Sequence, residues 1–560
     1  MRAAAGIFFG ILTALSPGWV SVGLAAAGVV FFLFRTADPR DRRFLATLFL
    51  TAFIARALLS LALDLGSCVV ERERPFRRGS AQGWDLGVSD KTRHYLRIGD
   101  SDYYSDRGTA LAEYVRGSRE SVVIFRLNQY SWNGYVDFIG LFYVLFGFSP
   151  SAVKGINCLL GAGLVLLVFF LAMRIFNRKV ARQAAWGVAL FPSLMFWSAS
   201  NLKDTPFIFL TLLAILTFIR RIEAKGIRPK IFYSLALGLL LLLHASLRDL
   251  FYLLLLAALI AAAALPRLRI RGEILALGLA GLGIGFLYFQ PAGAAVRQVL
   301  GQLFHKHVGY AVTDGASYLL FPDSFYAYGY LWKWVESGTL NLTIVTALLK
   351  APLYFFLEPL PGRFDALYHL PAVFQMILWY GILLLAAAGI FTSLRQRRHE
   401  TSFLLFPLLL FSFVMALTSG NVWTLFRVRD LVTPFLIIYA AAGAEPFFRP
   451  EAVRGSRVAA WVLSAPKFLA PTRAWMENLQ DRTCRFSAGF FASPVRNTGG
   501  VLIVAVLANT LLLVLKNTEW TVWSVGFRIG LLGLGLWALA IQLDWKQIRE
   551  TSLLRAFLVS

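Results

Sequence analysis

The residues best suited to chemistry fall into one acidic cluster and a few scattered cations. Asp100, Asp102 and Asp106 lie close together in Arg97-Ile98-Gly99-Asp100-Ser101-Asp102-Tyr103-Tyr104 and the residues just beyond. A carboxylate held in such a segment can take a proton from a hydroxyl or bind a metal ion; the plain alternative is a solvated acidic turn. Tyr103 and Tyr104 suit a membrane interface. In Asn201-Leu202-Lys203-Asp204-Thr205-Pro206, Asp204 suits a helix N-cap and Pro206 a first helical turn. That leaves Lys203 free to meet an anion. Arg248 follows His244-Ala245-Ser246-Leu247 and either binds a phosphate or pairs with its neighbour Asp249. Arg427 and Arg429 stand in Phe426-Arg427-Val428-Arg429-Asp430. A guanidinium grips phosphate in a fork, although snorkelling to lipid headgroups is an equal reading.

The elements that must position these groups are membrane helices. Of 560 residues, 58% are apolar and only 15% charged, against about 25% charged in an ordinary soluble domain. The mean hydropathy is +0.64. Fifty-five basic residues against 31 acidic ones give a formal charge of +24. Such a charge could mark a nucleic-acid binder, but this apolar content excludes one. The three cysteines, Cys68, Cys158 and Cys484, have neither disulfide-framework nor zinc-site spacing.

About 13 apolar runs suit spans: 6–34, 44–65, 151–173, 180–198, 205–219, 231–246, 249–265, 273–289, 373–394, 402–418, 431–444, 498–516 and 521–543. Every second connection is basic. Arg35 to Arg43, Arg174 to Arg182, Arg220 to Lys230, Arg267 to Arg271, Arg395 to Arg398 and the stretch 445–496 carry the excess. By the positive-inside rule those connections are cytoplasmic. Two long loops, about 66–150 and 290–372, then lie outside, together with every candidate named above. Function is expected on that face. Gly134–Gly147 (GYVDFIGLFYVLFG) is apolar but too short to span, so an interfacial helix is expected. Arg56 sits inside the second span, where an arginine faces an interior or snorkels. The pair His305 and His307 lacks the further ligands a zinc site needs, and the aromatic stretch 325–334 suits an interfacial belt better than a sugar site.

The order of these pieces resembles a known family. Arg56 near the end of a span leads to a long loop with an early acid. Then come Gly134-Tyr135, FYVLFGFSPSAVKGINCLLGAGLVLLVFFLAMRIF, VARQAAWGVALFPSLMFWSASNLKDTP and, later, FRVRDLVTPFLIIYAAAG. This is similar to the polyprenyl-phosphate-dependent GT-C glycosyltransferases, in the protein mannosyltransferase and aminoarabinose transferase branch. The likeness covers about a third of the chain well. It implies an all-α polytopic bundle with amphipathic helices in the first external loop. It also implies inverting transfer of a sugar from a polyprenyl-phosphate carrier to an acceptor hydroxyl outside a bacterial-type plasma membrane. On this reading Asp100 or Asp102 is the base, because relatives carry two adjacent acids where this chain has Asp100-Ser101. Lys203, Arg248, Arg427 and Arg429 meet the donor phosphate, and Arg56, Tyr104 and Asp204 are structural or position substrate. No cofactor is required; a divalent metal ion is compatible with the reading, although nothing in the sequence supports one. The acceptor is a glycan, a lipid or a protein; the other partners are membrane lipids, with no nucleic acid. The expected organisation is a core over 1–444, a cytoplasmic linker over 445–496 and a membrane hairpin with tail over 497–560. A polymerase or ligase of diphosphate-linked glycans, and a transporter of lipid-linked sugars, are the rival readings.

Overall fold

The computed structural model describes residues 18–73, 100–117, 133–248, 251–264, 342–359, 370–396, 399–420 and 422–445, with a few between 298 and 305. Spans expected at 273–289, 498–516 and 521–543, and the linker 445–496 apart from Glu445, lie outside them. So do His307 and the aromatic stretch 325–334.

Among the described residues every regular element is helical, as expected of an all-α polytopic membrane protein. In chain order they are α1 (Trp19–Thr36), α2 (Pro39–Glu73), α3 (Ser101–Val115), α4 (Gly134–Phe146), α5 (Pro150–Ile175), α6 (Arg178–Leu190), α7 (Pro192–Ser198), α8 (Asp204–Glu223), α9 (Ile227–Leu247), α10 (Phe251–Ala264), α11 (Leu342–Leu357), α12 (Leu370–Arg395), α13 (Ser402–Thr418), α14 (Val422–Arg429) and α15 (Thr433–Ala444). Six of them contain stretches long and apolar enough to cross a membrane: α1, α2, α5, α8, α9 and α12.

The centre of the bundle is α5. Two thirds of its apolar window (67%) is buried, against 22% for α9 and α12. It packs on α1, α2, α6 and α8. Helices α9 and α12 turn Ile231, Leu235, Leu239, Leu242, Ile377 and Leu384 outward, the faces a bilayer would cover. The first-loop helices α3 and α4 pack on each other, and α4 also touches α9.

Local sequence explains the element ends. Asn133 accepts a hydrogen bond from the backbone N–H of Tyr135 to start α4. Gly147 ends α4 with a φ of 78°, a conformation glycine adopts without a Cβ clash. Asn177 caps α6 by accepting from the N–H groups of Lys179 and Val180.

Two expectations change. The run read as a single span over 180–198 is two helices, α6 and α7, parted at Phe191-Pro192. Pro192 lacks the N–H that would continue the ladder, and it disfavours helical geometry at Phe191. The long loop 290–372 contains an apolar helix, α11, packed on α13. Lys350 and Pro352 interrupt its apolar run and hide it in the sequence.

Candidate active site at one end of the bundle

The basic residues and the candidate site occupy opposite helix ends. Arg174, Arg220, Arg221 and Arg395 stand in the last turns of α5, α8 and α12, and Arg178 and Arg228 in the first turns of α6 and α9. Asp204 begins α8 at the other end of that helix, about 30 Å away by helix rise. At the basic end Asp41 receives Arg178 Nε at 3.1 Å and Arg182 Nη2 at 3.0 Å, joining the starts of α2 and α6.

At the site end, four charged side chains from four parts of the chain form a line. Arg248, just after α9, donates from Nη2 to Asp204 Oδ1 at 2.6 Å. Arg427, on α14, donates from Nε to Asp204 Oδ2 at 2.6 Å and from Nη1 to Asp100 Oδ2 at 2.8 Å. Asp204 is thereby gripped on both oxygens and fully buried, with 1% of its side chain exposed. Asp100 is open, at 53%. It holds the N-cap position of α3, yet its carboxylate faces Arg427 and makes no capping bond.

By its sequence Asp204 suits an N-cap. It is instead the first residue of α8, and Lys203 holds the cap position without a side-chain bond. The carboxylate is taken by two guanidiniums, which charge-assisted hydrogen bonding favours over a single backbone N–H. Arg248 reaches Asp204 across 44 residues; its neighbour Asp249 lies outside the described residues.

Lys203 Nζ stands 6.0 Å from the ring centre of Tyr104. Burial, and then the positive charge of Arg248, lowers its pKa to about 8. Arg427 behaves in the opposite way. Burial alone would lower its pKa, but the carboxylates of Asp204 and Asp100 hold it above the usual range. Burial, and then the charges of Asp100 and Asp204, raises the Tyr104 phenol. Tyr104 packs edge-on against Tyr135, with centroids 5.2 Å apart.

Of the other expected site residues, Arg429 is placed away from the line and Arg56 has a structural place. The side chain of Asp102 lies outside the described atoms. Arg429 is buried away from the line and donates to the carbonyls of Tyr354, Phe355 and Glu358, closing the end of α11. Arg56 is fully buried and donates to the carbonyls of Ala52, Val188 and Ala189 and to Ser198 Oγ at 2.9 Å. It thereby caps the C-terminus of α6 and fastens it to α7.

Sequence reasoning passed over a buried polar chain beneath the acids. Asn157, Tyr135, Asn201 and Ser105 form it. An asparagine inside the apolar helix α5 was the available signal, because polar groups in membrane helices find partners. Asp430 was also missed. Ser193 Oγ donates to its Oδ1 at 2.7 Å, tying α7 to the turn before α15, and burial pushes its carboxyl up to about 8. Among the described residues no three His, Cys, Asp or Glu side chains gather as a metal site would require.

Residues 136–292 match the family described as dolichyl-phosphate-mannose-protein mannosyltransferase. The match takes in Lys203, Asp204 and Arg248, and less than half of the chain. Two solved structures, both 14% identical to this chain, show a distant likeness. One is the archaeal oligosaccharyltransferase AglB from Archaeoglobus fulgidus in complex with an inhibitory peptide and a dolichol-phosphate, with a TM-score of 0.36 over 82% of this chain and 56% of that one. The other is the Archaeoglobus fulgidus oligosaccharyltransferase tethered to an acceptor peptide, with a TM-score of 0.33 over 82% and 55%. The chain thus spans little more than half the length of either. Comparison with curated proteins gives no significant match.

Proposed function

We propose that this chain is a membrane glycosyltransferase that moves a sugar from a polyprenyl-phosphate carrier to an acceptor hydroxyl, with Asp100 as the base. The observation that carries the reading is the Asp100–Arg427–Asp204–Arg248 line beside Lys203. It puts one open carboxylate at the edge of a cationic nest, and the family match covers the central part of that nest.

The charge count favours a monophosphate donor. Three cations, Lys203, Arg248 and Arg427, face two carboxylates, Asp100 and Asp204. The surplus is one positive charge, which suits the single negative charge of a phosphodiester better than a diphosphate. The acceptor oxygen attacks the anomeric carbon from the face opposite the phosphate, so configuration inverts. As the new carbon–oxygen bond forms, the hydroxyl proton passes to Asp100. The old bond breaks, and polyprenyl phosphate leaves with the electron pair. Lys203 and the guanidiniums meet the charge that grows on the phosphate. Asp204 holds the two arginines apart and aimed. No metal enters this scheme.

In this reading the site faces away from the cytoplasm, in the plasma membrane of a bacterial-type cell; the basic residues at the opposite helix ends support that orientation. The acceptor in this reading is a glycan, a lipid or a protein.

The experiment uses purified protein in proteoliposomes with synthetic polyprenyl-phosphate sugars and, separately, diphosphate-linked ones. Transfer from the monophosphate donor, with release of polyprenyl phosphate, is expected. Asp100→Asn reduces it at least about 100-fold, in line with the loss of a general base. Transfer from the diphosphate donor alone, or full activity in Asp100→Asn, overturns the reading.

A further inference from the structure

The helix that begins at Asp100 is held over the Lys203–Asp204 turn by something other than charge. Its salt bridge to Arg427 is half open to solvent, and open pairs hold geometry weakly. The buried polar chain beneath it has one hydrogen-bond direction throughout.

Asn157, fully buried on α5, faces the carbonyls of Ser200 and Leu202 at 2.8 and 3.0 Å. Carbonyls only accept, so the amide must present its NH2 to them. The same NH2 group lies 2.8 Å from Tyr135 Oη. The amide nitrogen cannot accept, so its two hydrogens are shared among these three oxygens; Tyr135 accepts there, and its own proton goes to Asn201 Oδ1 at 2.6 Å. That fixes the second amide as well. Asn201 Nδ2 donates to Ser105 Oγ at 2.9 Å and approaches the carbonyl of Ser101 at 3.5 Å.

Each link joins a different element: α5, then α4, then the turn before α8, then α3. Asn201 stands two residues before Lys203. Ser101 is the residue after Asp100. One amide, itself in the turn that carries Lys203, thus reaches the helix that follows the open carboxylate. Tyr135 also supports the ring of Tyr104.

We propose that Tyr135 and Asn201 are positioning residues that hold α3 in place while the Asp100 carboxylate gains and loses its proton. Arg427 holds only Oδ2 of Asp100, and a proton arriving on the carboxyl cancels the charge that attracts the guanidinium, so the salt bridge anchors the helix least when the base is at work. The latch anchors it then. It contains no ionisable group at neutral pH, so the carboxylate can gain and lose a proton without disturbing it. This inference rests on the reading of Asp100 as base, but the latch itself can be tested without that reading.

Tyr135→Phe removes one hydroxyl and keeps the ring. Amide hydrogen exchange on the resting protein is expected to rise at least about tenfold across Ser101–Val115, with Pro150–Ile175 unchanged. Unchanged exchange in α3 overturns the latch. In the transfer assay, Tyr135→Phe is expected to lower kcat about tenfold or more while the donor KM stays within about threefold. The decisive comparison is with the double variant. If the latch acts through Asp100, adding Tyr135→Phe to Asp100→Asn costs little further rate. Multiplicative losses, or a KM rise matching the kcat loss, overturn the positioning role. Asn201→Ala repeats the test from the other partner, and a similar rise of exchange in α3 is expected. Loosened α3 together with no transfer from any lipid-phosphate donor in the wild type would leave the latch standing and remove the glycosyltransferase reading.

Discussion

Replacing each site carboxylate by its amide separates structure from chemistry. In Asp204→Asn the carboxylate that Arg248 and Arg427 share becomes a neutral group with one acceptor oxygen. The amide nitrogen must then face a guanidinium, donor against donor. Asp204 is 1% exposed, so water cannot take over the lost bonds. Breaking a buried pair by removing one partner costs about 3–5 kcal/mol. Asp100→Asn removes the other end of the same line, but Asp100 is 53% exposed. An exposed pair contributes about 0–1 kcal/mol. The two variants therefore diverge. Asp204→Asn is expected to unfold at markedly lower temperature or denaturant in detergent and to lose activity with its fold. Asp100→Asn is expected to melt like the parent while transfer nearly vanishes. Thermal unfolding followed by tryptophan fluorescence, alongside turnover in proteoliposomes, reads both. Wild-type stability in Asp204→Asn, or equal destabilisation in both variants, refutes the division of labour between the two acids.

Three other expectations follow from the geometry. Lys203 has a pKa of about 8, so in the free protein its charge is present below that pH and lost above it; the donor-binding constant is expected to weaken as pH rises through about 8, and Lys203→Arg should flatten that profile. A Cβ at Gly443 would strike the carbonyl of Leu385 on α12 and lie 2.8 Å from the nitrogen of Gly389, so Gly443→Ala is expected to destabilise by about 1–3 kcal/mol; Gly381→Ala, on the same α12 with no described atom within 4 Å, should be neutral or slightly stabilising, and chemical unfolding compares them. Arg56→Met leaves the carbonyls of Val188 and Ala189 without their donor, at about 1–3 kcal/mol for each buried group, which the yield of detergent-stable protein measures.

Helices were legible in the sequence where an apolar run and a basic flank coincided, as for α2, α5, α8 and α12. They were obscured where local chemistry cut across the run. Pro192 divides α6 from α7, and Lys350 with Pro352 disguises α11. The site was legible by residue type and not by pairing. Asp204 and Arg427 are 223 residues apart, and no local pattern encodes their contact. Arg427 and Arg429 look equivalent in the sequence, but two residues turn a helix by about 200°. One guanidinium therefore meets the two carboxylates, and the other closes the end of α11. The latch lay in plain view as Asn157, Tyr135 and Asn201, but buried amides and phenols reveal a role only through their neighbours.

Arg56 has a consequence for the order in which the protein is made. Most of its hydrogen-bond acceptors, Val188, Ala189 and Ser198, leave the ribosome more than 130 residues after it does. Until then α2 carries a lone guanidinium, and an arginine within a span disfavours insertion, by about 2.5–3.5 kcal/mol at the very centre and by less toward the end where Arg56 stands. The carbonyl of Ala52 offers only one early partner. Secure residence of α2 in the bilayer thus waits on the arrival of α6 and α7. A nascent chain stalled before residue 188 should hold its second helix loosely, and one stalled beyond α8 should hold it fast.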